Sequence, residues 1–256
     1  MSNIKNAFSN GKAFIGFLTA GDPSLDKTEE FILSMAEAGA DLIEIGIPFS
    51  DPIAEGEVIQ RANVRALAVG TTLDKIFDMV KSVRLKIQTP IVFLTYLNPV
   101  FTYGYDHFFR ECKNNGVDGV IIPDIPFEEK DELTPFSDKY NIDIISLIAP
   151  TSKERIGKIA SCAKGYVYCV SSMGVTGVRS QISTDISSIL DNIRAVTDVP
   201  IAVGFGISTP EQTSQISTYA DGIIVGSAIV KIIEEHGANA TKYLYEYVRE
   251  MKEAVG

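Results

Sequence analysis

LDKTEEFILSMAEAGADLIEIGI, residues 25–47, carries two hydrophobic rhythms in one stretch. In its first part Phe31, Met35 and Ala38 recur near one face at helical spacing. Its second part, DLIEIGI at 41–47, is a short run of apolar and β-branched residues of the kind that forms a buried strand. Between them Gly39 supplies the left-handed residue on which helices commonly close. A helix that ends on glycine and feeds an apolar strand is half of a βαβ unit, so the fold depends on how often this pattern returns.

It returns along the whole chain. Apolar runs occupy 13–18, 41–47, 91–96, 119–125, 142–148, 166–171, 201–207 and 222–228, eight in all. Helical patterns lie between them at 25–40, 73–85, 107–116, 153–165 and 210–222. Glycines close the helix in AEAGADLIEI, KNNGVDGVII and TYADGIIV. Eight such units without a linker predict an α/β fold, a (β/α)8 TIM barrel, with short extra helices at 2–10 and near 239–254. An open doubly wound sheet is the alternative, but it usually has fewer strands. No Pro/Ser-rich linker or charge run divides the chain, so residues 1–256 are expected to form a single domain.

Of the 256 residues 45% are hydrophobic, enough for a large core, and the formal charge of −10 argues against nucleic acid and anionic membranes. Cys112, Cys162 and Cys169 form no CxxC, which fits a reducing compartment. The start, MSNIKNAFSNGK, is too polar for a signal peptide and no apolar run reaches membrane length, so a soluble cytoplasmic protein is expected.

In this fold chemistry sits at the C-terminal ends of the strands. Three glycine-bearing turns fall there, after runs six, seven and eight: GVTG (174–177), GFGIS (204–208) and GSAIV (226–230). Glycine lets backbone approach an anion, and a helix start offers unpaired N–H groups. Gly177, Gly206, Gly226 and Ser227 are therefore expected to hold phosphate. His107 and His236 lie away from strand ends, no HxH or His/carboxylate cluster occurs, and no lysine ends a strand. Metal and Schiff-base routes to carbon–carbon cleavage are thereby disfavoured.

Carboxylates remain. Glu44 lies inside an apolar strand, flanked by Ile43 and Ile45, so it points into the barrel mouth or has a hidden partner. Burial raises a carboxyl's pKa toward neutrality and suits it to both acid and base work. Asp51, in a Ser-Asp-Pro turn, either holds the loop or touches a partner. Glu57 suits a helix start. Glu55 follows Glu44 by eleven residues on a loop that can return over the mouth, though spacing alone does not decide its role. Asp124 ends a strand and either pairs across the barrel or holds the mouth together. Phe17, Leu94, Tyr96, Ile121, Leu147, Tyr168 and Phe205 are candidates to line an apolar cavity. Such a cavity beside a phosphate cradle needs a ligand aromatic at one end and phosphorylated at the other.

Taken in order, FLTAGDP (17–23), EIGIPFSDPIAEG (44–56), PDIP (123–126), GVTG (174–177), GFGIS (204–208) and GSAIVKII (226–233) resemble the tryptophan synthase α subunit family over almost the whole chain. The resemblance implies a (β/α)8 lyase that cleaves indole-3-glycerol phosphate to indole and glyceraldehyde 3-phosphate by a retro-aldol step. It implies no cofactor in this chain, and a pyridoxal-phosphate (PLP) β subunit as partner, usually as α2β2, that receives indole through a tunnel. Glu44 matches the family's general acid/base. Glu55 falls where the family has the aspartate of an ADG triplet, which binds the indole N–H; here the triplet is AEG. The longer side chain displaces the carboxylate by roughly 1–1.5 Å, enough to matter in a preorganised site. From the resemblance alone, Glu55→Asp is expected to keep or raise activity, a large loss meaning that the loop has adapted to glutamate. Glu57 and Gly16 depart from common family prolines. Phe17, Leu94, Tyr96, Ile121, Tyr168 and Phe205 match the indole pocket, and Thr176 matches a residue that meets the second carboxylate when a lid near 170–184 closes. Pro48 and Asp51 match loop positions facing the β subunit. The alternatives are a barrel that mainly docks to and activates its partner, another phosphate-binding barrel, and a stand-alone indole-releasing lyase.

Overall fold

The computed structural model describes residues 3–149, 155–170, 179–204 and 206–256, with the backbone alone at 179–185. Every apolar run becomes sheet. The strands are β1 (Ala13–Thr19), β2 (Leu42–Gly46), β3 (Ile91–Leu94), β4 (Gly119–Ile121), β5 (Asp143–Ile144), β6 (Ser146–Ile148), β7 (Val167–Val170), β8 (Ile201–Gly204) and β9 (Gly222–Val225). They lie in the order β5-β4-β3-β2-β1-β9-β8-β7-β6, and all the pairings are parallel.

The two ends of that order are separated in sequence by Ile145 alone, so the sheet returns to itself as a nearly closed barrel. Nine strands thus arise from eight runs because the fifth, 142–148, is split. Its first half pairs with β4, the Ile145 N–H donates to the Val120 carbonyl at 2.9 Å, and Ser146–Ile148 pairs with β7. The stagger of a closing barrel moves the two ladders of this segment out of step.

Helices alternate with the strands: α1 (Leu25–Glu37), α2 (Glu57–Ala68), α3 (Leu73–Arg84), α4 (Leu97–Tyr103), α5 (Tyr105–Asn115), α6 (Thr134–Tyr140), α7 (Ile156–Ser161), α8 (Arg179–Arg194), α9 (Pro210–Ser217), α10 (Ser227–His236) and α11 (Thr241–Val255). The extra helices expected at the ends are a 3-10 turn at Asn3–Phe8 and α11. Among the described residues no helix is long and apolar enough to cross a membrane.

Gly39 (φ +104°) and Gly116 (φ +79°) end α1 and α5 in backbone that favours glycine, as their sequence context predicts. Gly222 does not cap a helix. It is the first residue of β9, while α9 ends earlier at Ser217. A Cβ there would lie 3.0 Å from the Phe8 ring and 3.3 Å from the Ala13 carbonyl, so close packing is what demands glycine.

Strand alternation divides the core in two. Phe14, Leu18, Ile43, Ile45 and Phe93 face outward and pack beneath the helices. Ile15, Leu42, Val92, Ile121, Tyr166, Tyr168, Ala202 and Ile224 fill the barrel interior, joined by Ile4 from the N-terminal turn. Each fully buried Ile or Leu contributes about 2 kcal/mol. Phe17 and Glu44 continue the inward-facing positions of β1 and β2 toward the C-terminal mouth and stand opposite each other in register.

Candidate active site

Glu44 sits in the middle of β2, is 1% exposed and accepts a hydrogen bond from the Tyr166 hydroxyl at 2.5 Å. Burial lifts its carboxyl to about 7, against the opposing pull of that hydrogen bond. The Tyr166 hydroxyl is held well above the usual phenol value, first by burial and then by Glu44, so it remains a donor. Tyr166 was not singled out from the sequence. The signal was there: residues 166 and 168 share one face of a strand, so an inward Tyr168 implies an inward Tyr166.

The interior around Glu44 is shaped by aromatic rings set against glycines. A Cβ on Gly46 would lie 2.6 Å from the Phe17 ring, and one on Gly204 would lie 2.5 Å from the Tyr168 hydroxyl. Leu94 and Ile121 stand opposite each other on β3 and β4, and Leu147 stands opposite Tyr168. The structure therefore brings Phe17, Leu94, Ile121 and Tyr168 to the same interior as Glu44. Tyr96 has a different setting. It is 1% exposed, packs its ring on Phe49 at 5.3 Å and accepts the Ala54 N–H at 3.1 Å. It holds the loop above the mouth. Phe205 lies outside the described residues.

Glu55 lies on that loop, one residue before the N-cap of α2, and is partly buried. Its Oε2 accepts from Asn63 Nδ2 at 2.6 Å, and the Gln60 amide donates to its backbone carbonyl at 2.8 Å. Burial raises its carboxyl above the ordinary value, opposed by hydrogen bonds from Asn63 and Tyr96. Asn63, 2% exposed, was also missed from sequence, although an asparagine between Ala62 and Ala66 on the buried face of α2 is itself a signal. Glu57 is the first residue of α2 and exposed, a helix-start acid as expected.

The second helix is tied down by charge. The Arg65 guanidinium donates to both carboxylate oxygens of Asp22 at 2.8 Å and to Glu234 at 2.9 Å, while Arg61 donates twice to Glu234 at 2.7 and 2.8 Å. This network joins the loop after β1, α2 and α10 into one wall. Asp124 accepts the Leu97 N–H at 2.9 Å and so secures the start of α4 at the mouth. Pro48 is buried, while Asp51 is exposed and accepts from the Ser50 hydroxyl at 2.5 Å.

The last helix in the wall, α10, begins at Ser227 after Gly226 and has no side-chain cap. Its first N–H groups are thus available to an anion, and Ser227 is exposed beside them. Gly206 turns the chain after β8 with φ +76°. A Cβ on Gly226 would lie 3.4 Å from the Phe17 ring, so this helix start adjoins the aromatic floor above Glu44. Gly177 and Thr176 lie outside the described residues, as do 171–178 of the expected lid; 179–184 open α8. His107 and His236 sit on helices against Tyr103 and Tyr243, and among the described residues no His/Cys/Asp/Glu cluster is arranged for a metal.

A (β/α)8 barrel with a buried acid inside its mouth belongs to the class of barrels that carry their functional groups at the C-terminal ends of their strands. Comparison narrows the class. The sequence profile of the family described as tryptophan synthase alpha chain matches residues 2–256. The tryptophan synthase alpha chain of Lacticaseibacillus casei is 46% identical over 255 residues, covering 100% of this chain and 96% of the relative. That of Caldanaerobacter subterraneus is 49% identical over 244 residues, covering 95% and 91%. The crystal structure of tryptophan synthase subunit alpha from Legionella pneumophila superposes with a TM-score of 0.90 at 35% identity, covering 100% of this chain and 98% of that one. This chain belongs to the tryptophan synthase alpha chain family, lyases that cleave indole-3-glycerol phosphate in tryptophan biosynthesis.

Proposed function

We propose that Glu44 is the general acid/base of this lyase and Glu55 its second carboxylate. In this reading the Glu44 carboxyl gives its proton to indole C3, and Glu55 receives the indole N–H as positive charge develops on the ring. The Glu44 carboxylate then takes the proton of the glycerol hydroxyl beside the ring. The bond from C3 to the glycerol carbon breaks, its electrons return to the indole, and an aldehyde remains on the phosphorylated fragment. The protonated indole is the electron sink. One residue gives and takes a proton in turn most readily when its pKa lies near the working pH. The observation that carries the reading is the burial of Glu44 inside the mouth, with its carboxyl lifted to about 7.

Phosphate is assigned to the start of α10, at Gly226 and Ser227, together with Gly206 and Gly177, while Thr176 is assigned to meet Glu55 when the lid closes. Phe17, Leu94, Ile121, Tyr168 and Phe205 surround the indole, and Tyr96 holds the Glu55 loop over it. The whole chain, 1–256, acts as one barrel domain without a cofactor of its own. Its partner is a tryptophan synthase β subunit carrying PLP, in an α2β2 heterotetramer in the cytoplasm, with Pro48 and Asp51 in the loop facing that partner.

Indole release from indole-3-glycerol phosphate, by the purified chain with and without a β subunit, tests this. Slow release alone and strong stimulation by the partner are expected. Fast release alone would contradict the dependence on a partner. No release in either case, with partner activation intact, would contradict the lyase assignment.

A further inference from the structure

The triplet at 54–56 places a glutamate where the resemblance calls for an aspartate, and the structure pairs that glutamate with Asn63. Asn63 comes from the second turn of α2, on the face where Ala62 and Ala66 are fully buried. Its amide donates to Oε2 of Glu55 at 2.6 Å, a short bond of the charge-assisted kind. The Tyr96 hydroxyl accepts the Ala54 N–H at 3.1 Å and so ties the backbone beside Glu55 to the end of β3. The helix carrying Asn63 is joined through Arg61 and Arg65 to Glu234 and Asp22. The donor thus stands on a helix and the acid on the loop that precedes it.

We propose that Asn63 is the positioning residue that sets the reach of Glu55. The combined length of the two side chains decides where the indole N–H is received. This rests on Glu55 being the second carboxylate of the lyase. The pairing has a consequence that Glu55 alone does not have. Shortening the acid to aspartate withdraws it from the amide, which reverses the expectation that Glu55→Asp keeps or raises activity. Lengthening the amide by the same methylene, with Asn63→Gln, closes the gap again.

The test uses the complex with a β subunit and follows indole release by Glu55→Gln, Asn63→Ala, Glu55→Asp and the double variant Glu55→Asp/Asn63→Gln. Thermal unfolding of each variant shows that it is folded. Asn63→Ala is expected to lower kcat about 10- to 100-fold, the range for losing one hydrogen bond to a charged group, with KM changing less than about threefold. The pH limit assigned to Glu55 moves upward in that variant, because a bond that stabilises its charged form is gone. Glu55→Asp loses a similar factor, and the double variant recovers to within about threefold of the parent. An inactive Glu55→Gln beside an Asn63→Ala of unchanged kcat and pH profile would overturn the role of Asn63 and leave that of Glu55 standing. So would a double variant no better than Glu55→Asp alone. Parental turnover in Glu55→Gln would overturn the assignment of Glu55 itself, and this inference with it.

Discussion

The two carboxylates at the mouth are held in opposite ways. Glu44 is part of a strand with sheet partners on both sides, is buried and has the Tyr166 hydroxyl as its neutral companion. Glu55 is on a loop, partly exposed, and is gathered in by an amide from a neighbouring helix. The strand fixes Glu44 to the geometry of the barrel, so its environment is set by the fold and its main adjustment is desolvation. The loop leaves Glu55 adjustable, so its position is set by individual contacts that a substitution can tune. A proton donor to carbon needs the first arrangement. A group that receives an N–H and steadies a developing charge can work with the second.

The comparison breaks most visibly at Glu44. Glu44→Gln keeps the shape and removes the titrating proton, and turnover is expected to fall by about 10³-fold or more while binding of a phosphorylated indole analogue survives. Single-turnover indole release and a binding titration measure the two. Substantial turnover would show that the strand-held acid is not the acid/base.

A second effect concerns stability and has a definite sign. The folded carboxyl titrates near 7 and the unfolded one near 4.5. The folded state therefore binds the proton more tightly, so stability is full below the lower value and is lost as pH rises through the upper one. The loss amounts to about 3 kcal/mol. In urea unfolding, Glu44→Gln is expected to gain this much on the parent between pH 4.5 and pH 8. A gap that does not change with pH would contradict the burial argument. The smallest effect is that of Tyr166→Phe. Removing the Tyr166 hydrogen bond, which favours the charged form, moves the Glu44 midpoint up by about one pH unit.

Sequence periodicity was enough to place all eight apolar runs in the barrel, because each strand's signal is local. The split at Ile145 was not legible, since it depends on which neighbours the two halves of one segment meet once the barrel staggers. The cap expected at Gly222 failed for a related reason: a glycine needed for tertiary packing looks the same in sequence as one needed for a turn. Glu44 stood out because an acid inside an apolar strand demands an explanation. Tyr166 and Asn63 carry weaker signals, an inward position and an amide on an apolar face, and neither signal names the carboxylate that each one meets. Tyr166 is separated from Glu44 by 122 residues. Asn63 is only eight residues from Glu55, and the pair meets because Glu55 stands directly before the N-cap of the helix that carries Asn63.

The most direct test is a titration of the Glu44 carboxyl itself, by infrared difference spectroscopy of the parent chain against Glu44→Gln. A carboxyl band that disappears with a midpoint near pH 7 is the expected result. Ionisation at the ordinary carboxylate value, near 4.5, would contradict the claim that the barrel interior makes this residue an acid and a base at neutral pH.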